Sequence, residues 1–170
     1  MDNVEKATRQ WSEEMPELNL LVMAVIGRLK VVTRLVHRDY LDPFFKNHDL
    51  QAGEFDVLAS LRRAGAPYAL GPTKLYEALM ITSGGMTNRL DRLEKAGLIA
   101  RSPNPEDRRG TLVSLTDAGL EMINRIVPLH VENEAVALSG LTTDEQNTLN
   151  ELLRKLIDGV EAGSRQPRQD

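Results

Sequence analysis

The chain has 170 residues, of which 41% are hydrophobic and 27% are charged, and its formal net charge is −4. This length and apolar content allow one compact domain with extensions, and the lack of cysteine excludes disulfides, thiol catalysis and Cys-based metal or redox sites. No window resembles a membrane span or a signal peptide, so we expect a soluble, cytoplasmic protein.

The N-terminal part of the chain is predicted to be helical. Residues 1–16 form an extension that contains the single tryptophan, Trp11, and could form a short helix of its own. Pro16 suits the first turn of the next helix, where its missing N–H is unbonded anyway. Apolar residues follow helical spacing from Glu17 to Asp42. This pattern predicts a long amphipathic helix that ends or kinks near Pro43.

Two shorter helices are predicted next. The first occupies residues 52–64 and is closed by the Gly-Ala-Pro sequence at residues 65–67. Residues 68–70 could add a short strand to a later sheet. Pro72 then opens a helix in which Leu75 and Leu79 face inward, while Lys74 is free to meet a DNA phosphate. Residues 17–70 are assigned to dimerisation and connection.

The following helix has the features of a DNA-recognition helix. It is predicted to begin at Thr82 or Ser83, which can cap free N–H groups, and to end at Gly97 with a left-handed cap. Its inward stripe consists of Met86, Leu90 and Leu93. Its opposite side carries hydroxyl and amide groups that can bond base edges and phosphates. The residues on or near that side are Ser83, Gly84, Thr87, Asn88, Asp91 and Arg92.

Two adjacent glycines, Gly84 and Gly85, lie in the first turn of this predicted helix. Each costs about 1 kcal/mol relative to alanine, so something should compensate. Close approach of the helix start to a DNA backbone would do so, and so would tight packing against the preceding helix.

Two strands joined by a charged turn are predicted after the helix, at residues 98–102 and 111–115. The turn would present Arg108 and Arg109 at a protruding tip, where an arginine suits a narrow, A·T-rich minor groove. Asp107 could pair with Arg109 and hold it in one direction. A solvated hairpin turn is the alternative. The order of elements is that of a winged helix-turn-helix, and residues 71–119 are assigned to it.

The charges support this assignment. Residues 72–110 include seven basic and five acidic side chains, a net charge of +2, so the rest of the chain carries −6. Because DNA responds to the local field, the acidic total does not argue against binding by this segment.

The C-terminal part of the chain, residues 120–162, is predicted to contain two dimerisation helices. The first bends at Pro128, the second begins with a Thr142-x-x-Glu145 capping box, and the polar tail from Gly163 is predicted to be disordered. A winged helix alone cannot bury three apolar helical stripes, so we expect a two-fold homodimer with interleaved terminal helices. Its recognition helices would lie about 34 Å apart, on an inverted-repeat operator. The alternative is a monomer with a helical cap.

A family resemblance rests on the wing. Asp107-x-Arg109, Val113, Leu115-Thr116 and Gly119 match the wing signature D-x-R-x-x-x-V-x-L-T-x-x-G of the MarR family of bacterial regulators, and MTNRLDRLEKAGLI resembles its recognition helix. The resemblance extends over nearly the whole chain. It implies a mainly α fold with a small β-wing (α+β), comprising a winged helix-turn-helix and a helical dimerisation region, and the function of a DNA-binding repressor.

Arg89 does not fit the polar face, because it lies three residues after Met86 and four before Leu93, beside the inward stripe. Its guanidinium can turn back toward the protein, and Arg101 follows in the first wing strand. A partly desolvated guanidinium calls for an anion from the protein or from a ligand. The protein's own candidate is Asp56, although periodicity alone leaves it exposed.

Together, Trp11, Asp56, Arg89 and Arg101 resemble the four ligand-responsive positions of the urate-responsive PecS-type branch of that family. The resemblance implies a purine-anion pocket in which Arg89 and Arg101 pair with urate and Trp11 lines the site. Asp56 would then couple ligand occupancy to the recognition helix by charge repulsion. Alternatively, Trp11 staples the N-terminal segment to the body, and Arg89 and Asp56 form an ordinary interdomain pair.

Other functions have less support in the sequence. There is no Ser/His/Asp pattern, phosphate-binding glycine loop or paired-carboxylate motif, and the three histidines lie on separate segments, so we expect neither catalysis nor a bound metal or cofactor. Two alternatives remain open: a MarR-type repressor that responds to phenolic or aromatic acids, and a ligand-independent architectural DNA-binding protein.

Overall fold

The structure is a computed structural model that describes residues 2–79, 85–104 and 111–164. Within these ranges no helix combines the length and the hydropathy needed to cross a membrane. The helices are α1 (Asn3–Glu14), α2 (Leu20–Val36), a π-helical turn (His37–Leu41), α3 (Asp42–Asn47), α4 (Ala52–Arg63), α5 (Pro72–Ala78), α6 (Met86–Lys95), α7 (Asp117–Ala137) and α8 (Thr143–Ser164). The strands are β1 (Ala69–Leu70), β2 (Ile99–Pro103) and β3 (Thr111–Leu115).

The fold class is the predicted one, mainly α with a small antiparallel sheet in the order β1-β3-β2. The predicted short strand before α5 is confirmed, because Ala69 pairs with Ser114 and Leu70 with Val113. On the other edge, β2 pairs with β3 from Ile99–Leu115 to Pro103–Thr111. One compact unit spans Met1–Asn133 and a second spans Glu134–Asp170.

Helix α4 lies at the centre of the first unit. Its apolar residues Val57, Leu58 and Leu61 are completely buried. They belong to one core with residues from α5, α6, the sheet and α7. Those partners are Leu75, Leu93, Ile99, Val113, Ile123 and Ile126. The winged unit is therefore built directly against α4.

The predicted first long helix differs from the structure at both ends. Pro16 lies in a turn, and α2 begins only at Leu20. At the other end the helical path does not stop near Pro43, because it passes through a π-helical turn in which the Asp42 N–H donates to the His37 carbonyl. Pro43 then lies in the first turn of α3, where its missing N–H has no helical partner to lose.

The predicted N-terminal extension does contain a helix, α1, and it packs on α2. Asp2 caps α1 by accepting the Glu5 N–H at 2.6 Å, and it also pairs with Arg28 of α2 at 3.0 Å. A Cβ on Gly27 would lie 3.0 Å from Val4 Cγ1, so the two helices approach closely there.

The recognition helix begins later than predicted. α6 starts at Met86, and the residue before it, Gly85, has a left-handed φ of 82°, which is not a helical conformation. Residues 80–84 lie outside the described residues. The predicted C-terminal cap is confirmed, since Gly97 has a φ of 72°.

A single residue, Thr116, joins β3 to α7. Its hydroxyl donates to the Gly97 carbonyl at 2.7 Å and accepts the Gly119 N–H at 3.0 Å, while its own N–H donates to Leu98 O at 3.1 Å. A Cβ on Gly119 would lie 1.9 Å from Leu98 O. Only glycine therefore fits at position 119, where the first turn of α7 packs against the backbone carbonyl of Leu98, just after α6.

The C-terminal helices follow the prediction in part. Pro128 lies inside α7, and the capping box is confirmed, because Thr142 N–H donates to Glu145 Oε2 at 2.8 Å and Glu145 N–H to Thr142 Oγ1 at 3.3 Å. The tail predicted to be disordered from Gly163 begins as helix, since α8 extends to Ser164. Its remaining residues lie outside the described residues.

Candidate DNA interface and effector site

Helix α6 has one buried and one exposed face. Met86 and Leu93 are buried and Leu90 is half-buried, whereas the predicted DNA-contacting residues Thr87, Asn88 and Arg92 are exposed. Lys74 on α5 is also exposed. The remaining predicted DNA contacts, Ser83, Gly84, Asp107, Arg108 and Arg109, lie outside the described residues. The described part of the helix thus presents the side chains that a major-groove helix requires.

Arg92 also reaches into the protein. Its Nε lies 2.6 Å from Glu54 Oε1 on α4, and the Glu54 side chain is only 3% exposed. Sequence reasoning missed Glu54. The available signal was the spacing Gln51-x-x-Glu54, which forms a capping box in the structure, but glutamine is not among the favoured N-cap residues.

Arg101 pairs with the recognition helix. Its guanidinium contacts Asp91, and its Nε lies 3.1 Å from Glu94 Oε2, with 24% of the side chain exposed. It also lines a cavity of about 190 Å³ beneath α6, together with Leu75, Tyr76, Met86, Thr87, Leu90, Thr111 and Val113. Arg101 therefore already has two carboxylate partners in ion pairs, although its buried Nε makes no hydrogen bond of good geometry among the described residues.

The side chain of Arg89, a residue of α6, packs against the N-terminal turn of α4. A Cβ placed on Gly53 would lie 2.4 Å from both Cζ and Nε of Arg89, so the guanidinium occupies the space that any other residue at position 53 would fill. The residue is half-buried, and its Nη1 is buried without a hydrogen-bond partner among the described residues. A buried donor without an acceptor carries a desolvation cost that an anion would remove.

Asp56 lies on the same helix and is half-buried, not exposed as its phase predicts. Burial raises the pKa of its carboxyl, while the charges of Arg89, Arg63, His130 and His37 act in the opposite direction. No ion pair joins Asp56 to Arg89 among the described residues. Arg89 and Asp56 are thus electrostatically coupled without satisfying each other's hydrogen bonds.

Trp11 has a different environment. It lies on α1 and is 42% exposed. The shallow groove beside it is lined, among the described residues, by Ala7, Gln10 and Glu14 of the same helix. Of the four predicted effector residues, Asp56 and Arg89 are therefore electrostatic neighbours, Arg101 lines the cavity beneath α6, and Trp11 lies on the N-terminal helix.

Comparison with known proteins identifies the family. Residues 50–111 match the MarR family. The chain is 46% identical to the HTH-type transcriptional regulator PecS of Dickeya dadantii (strain 3937) over 153 residues, 90% of this chain and 92% of that relative. The chain belongs to the MarR family. It is a MarR/PecS-type DNA-binding transcriptional regulator and not an enzyme.

Solved structures of MarR-family proteins have the same fold. A mutant MarR from Escherichia coli complexed with operator DNA has a TM-score of 0.68 and 32% identity, over 86% of this chain and 96% of that chain. BpsR from Bordetella bronchiseptica has a TM-score of 0.66 and 28% identity, over 78% of this chain and 93% of that chain. In BpsR, DNA binding is regulated by 6-hydroxynicotinic acid.

Within this MarR-family protein, part of the wing signature has a structural reason. Val113 is 2% exposed and belongs to the core, Thr116 fixes the start of α7, and Gly119 admits the Leu98 carbonyl. These residues set the position of the sheet against α7. The DNA-facing part of the signature, at residues 107–109, lies outside the described residues.

Proposed function

We propose that the protein is a dimeric repressor that a small planar anion, urate or a related purine, releases from an inverted-repeat operator. The observation that carries this proposal is the Arg89 guanidinium, which lies on Gly53 with a buried Nη1 that lacks a hydrogen-bond partner among the described residues. Urate is planar, anionic near neutral pH and edged with acceptors that suit an arginine fork. The regulation of BpsR by a heteroaromatic acid gives the proposal a precedent in the family.

The coupling to DNA follows from where Arg89 lies. Arg89 belongs to α6, so an anion that binds its guanidinium acts directly on the recognition helix. The same anion adds negative charge near the half-buried Asp56 carboxylate, and like charges repel strongly where water is partly excluded. Urate releases DNA because it binds the DNA-incompetent arrangement of α6 more tightly than the DNA-competent one.

A second copy of the chain would cover apolar surface that the single chain leaves exposed. On α2, Leu21 is 72% and Val32 is 57% exposed, and on α8, Leu152 is 57% and Val160 is 63% exposed. Exposed apolar faces of this extent are typical of an interface. A two-fold dimer places two recognition helices on one face of DNA about 34 Å apart, which requires an inverted repeat.

Apart from Arg92, whose Nε pairs with Glu54, the predicted DNA contacts remain part of the proposal. Thr87 and Asn88 would read base edges, whereas Lys74, Ser83 and Gly84 would meet phosphates. Arg108 and Arg109, with Asp107 as a partner, would enter the minor groove. The site of action would be the cytoplasm.

The cavity beneath α6 favours a second effector class. Four of its lining residues are apolar, and the polar ones are Tyr76, Thr87, Arg101 and Thr111. Such a lining, with one cation beside apolar side chains, suits an aromatic acid, which has one anionic group on an apolar ring. Such a ligand would have to displace Asp91 or Glu94 from Arg101.

One experiment separates the two classes. Labelled duplex selected by the protein from a random pool would be bound to wild type, Arg89→Ala and Arg101→Ala, and then titrated with urate, xanthine and salicylate while anisotropy is followed. We expect urate to release wild type, with the response lost in Arg89→Ala and kept in part in Arg101→Ala. Release by salicylate that depends on Arg101 but not on Arg89 would favour the aromatic-acid hypothesis. Trp11 fluorescence, corrected with free tryptophan for light absorption by the ligand, would report whether Trp11 adjoins the bound ligand.

A further inference from the structure

A buried carboxylate lies directly behind the recognition helix. Glu54 is 2% exposed and is the only charged residue among the described residues that is buried to this degree. Its Oε2 accepts the Gln51 N–H at 2.8 Å, and its Oε1 lies 2.6 Å from Arg92 Nε. One oxygen therefore fixes the start of α4 and the other binds α6.

The two partners of this ion pair have very different environments. The Glu54 side chain is 3% exposed, whereas that of Arg92 is 56% exposed. A buried carboxylate loses its hydration and depends on its protein partners, so its separation from Arg92 is costly. Arg92 alone would return to water at little cost. The ion pair therefore holds α6 against α4, because any movement of α6 that separates Arg92 from Glu54 leaves the buried carboxylate without its partner.

We propose that Glu54 is a positioning residue for DNA binding, which anchors the recognition helix through Arg92. This inference rests on α6 being the helix that reads DNA. Arg92 is accordingly an anchor whose Nε is committed to Glu54, and not one of the phosphate contacts of the exposed face. Loss of the anchor weakens DNA binding although Glu54 itself is buried beneath the helix.

Glu54→Gln is a selective perturbation. Glutamine also serves at the third position of a capping box, so its amide oxygen can still accept the Gln51 N–H while the negative charge is lost. Simple electrostatics predicts tighter DNA binding when an acidic charge near the interface is removed. If Glu54 instead positions the recognition helix, Glu54→Gln should weaken DNA binding. The direction of the change in affinity therefore distinguishes a positioning role from a general effect of charge.

The measurement is the dissociation constant for duplex selected by wild type from a random pool, at several salt concentrations. We expect Glu54→Gln and Arg92→Ala each to weaken binding about tenfold, and the double variant to be no weaker than either single variant, since coupled residues are not additive. The slope of log K against log salt should stay at the wild-type value in Arg92→Ala, whereas loss of a phosphate contact lowers it by about one.

Glu77→Gln is the matched control, because Glu77 is an exposed carboxylate on α5 of the same DNA-binding unit. It should bind DNA as tightly as wild type or more tightly. Circular dichroism and thermal unfolding would establish that each variant is folded, and Arg92→Ala supplies an independent arm if Glu54→Gln does not fold.

Three results would overturn the inference. The first is that folded Glu54→Gln binds DNA as tightly as wild type or more tightly. The second is that Arg92→Ala lowers the slope of log K against log salt by one, while the losses of affinity in the two single variants add up in the double variant. Either of these would leave DNA binding by the wild type intact and would refute only the anchor. The third, failure of wild type to bind any duplex, would refute the proposed function as well.

Discussion

Substitution of Gly53 tests the position of Arg89 without touching Arg89 itself. In Gly53→Ala, the new Cβ would lie 2.4 Å from Cζ and Nε of Arg89 and 2.9 Å from its Nη1. The guanidinium must therefore shift by about 1 Å, the difference between 2.4 Å and an ordinary contact of 3.4 Å. Because it is the far end of a flexible side chain, it can move while the backbone stays in place.

The expected magnitudes differ for stability and for ligand response. Alanine is a better helix former than glycine by at most about 1 kcal/mol, so folding should be unchanged or slightly more stable. A hydrogen bond to a charged group contributes about 1.5–3 kcal/mol, and each 1.4 kcal/mol is tenfold in affinity. Loss of the aligned guanidinium should therefore raise the urate concentration needed for DNA release by about tenfold to a hundredfold.

The assay is release of labelled duplex by urate, measured for wild type, Gly53→Ala and Gly159→Ala. Gly159 lies in α8, and a Cβ at that position would have nothing within 4 Å, so its substitution controls for the glycine-to-alanine change alone. DNA affinity without urate should be equal in all three proteins. If folded Gly53→Ala releases DNA at the same urate concentration as wild type, the position of the Arg89 guanidinium against α4 does not matter for urate binding.

Three further predictions follow from other residues. The raised pKa of Asp56 means that the folded state binds the carboxyl proton more tightly than the unfolded state does. Wild type should therefore lose stability as the pH rises from the usual aspartate pKa through the raised one. Denaturant unfolding of Asp56→Asn should lack this loss, and equal pH profiles of stability for the two proteins would contradict the assignment. Gly119→Ala should lower the free energy of unfolding by about 3 kcal/mol, because its Cβ meets the Leu98 backbone, and a change below about 1 kcal/mol would disprove the close approach. Leu152→Asp places a charge on the exposed apolar face of α8 and should shift the protein toward monomer in sedimentation equilibrium, unless that face takes no part in dimerisation.

Local signals predicted most of the elements. The left-handed turn at Gly97, the capping box at Thr142 and the helix at residues 52–63 each depend on residues within one or two turns, so the sequence alone contains what determines them. Of the two alternatives predicted near Pro43, an end or a kink of the helix, the end was wrong for an equally local reason. A π-helical turn places the proline in a first turn, where it costs no hydrogen bond.

The candidate site was harder to predict because its contacts join distant segments. Periodicity places Arg92 on the exposed face of α6, yet its Nε is bound by Glu54 on α4. Arg101 similarly finds Asp91 and Glu94, which were assigned to no partner from sequence. Asp56 is half-buried through the packing around α4, which helical phase within its own segment does not contain. A pattern within one helix cannot report which side chains another helix brings to it.

The one-residue connection at Thr116 has a consequence for how the chain tolerates changes in length. Successive residues of an α-helix are rotated by about 100°, so one residue inserted between Leu115 and Asp117 would turn α7 by that angle relative to the sheet. The insertion would carry Ile123 and Ile126, now completely buried, out of the core, and would separate the Gly119 N–H from the hydroxyl that caps it. A deletion would rotate the helix equally in the other sense. The number of residues at this junction is therefore as strictly determined as their identity.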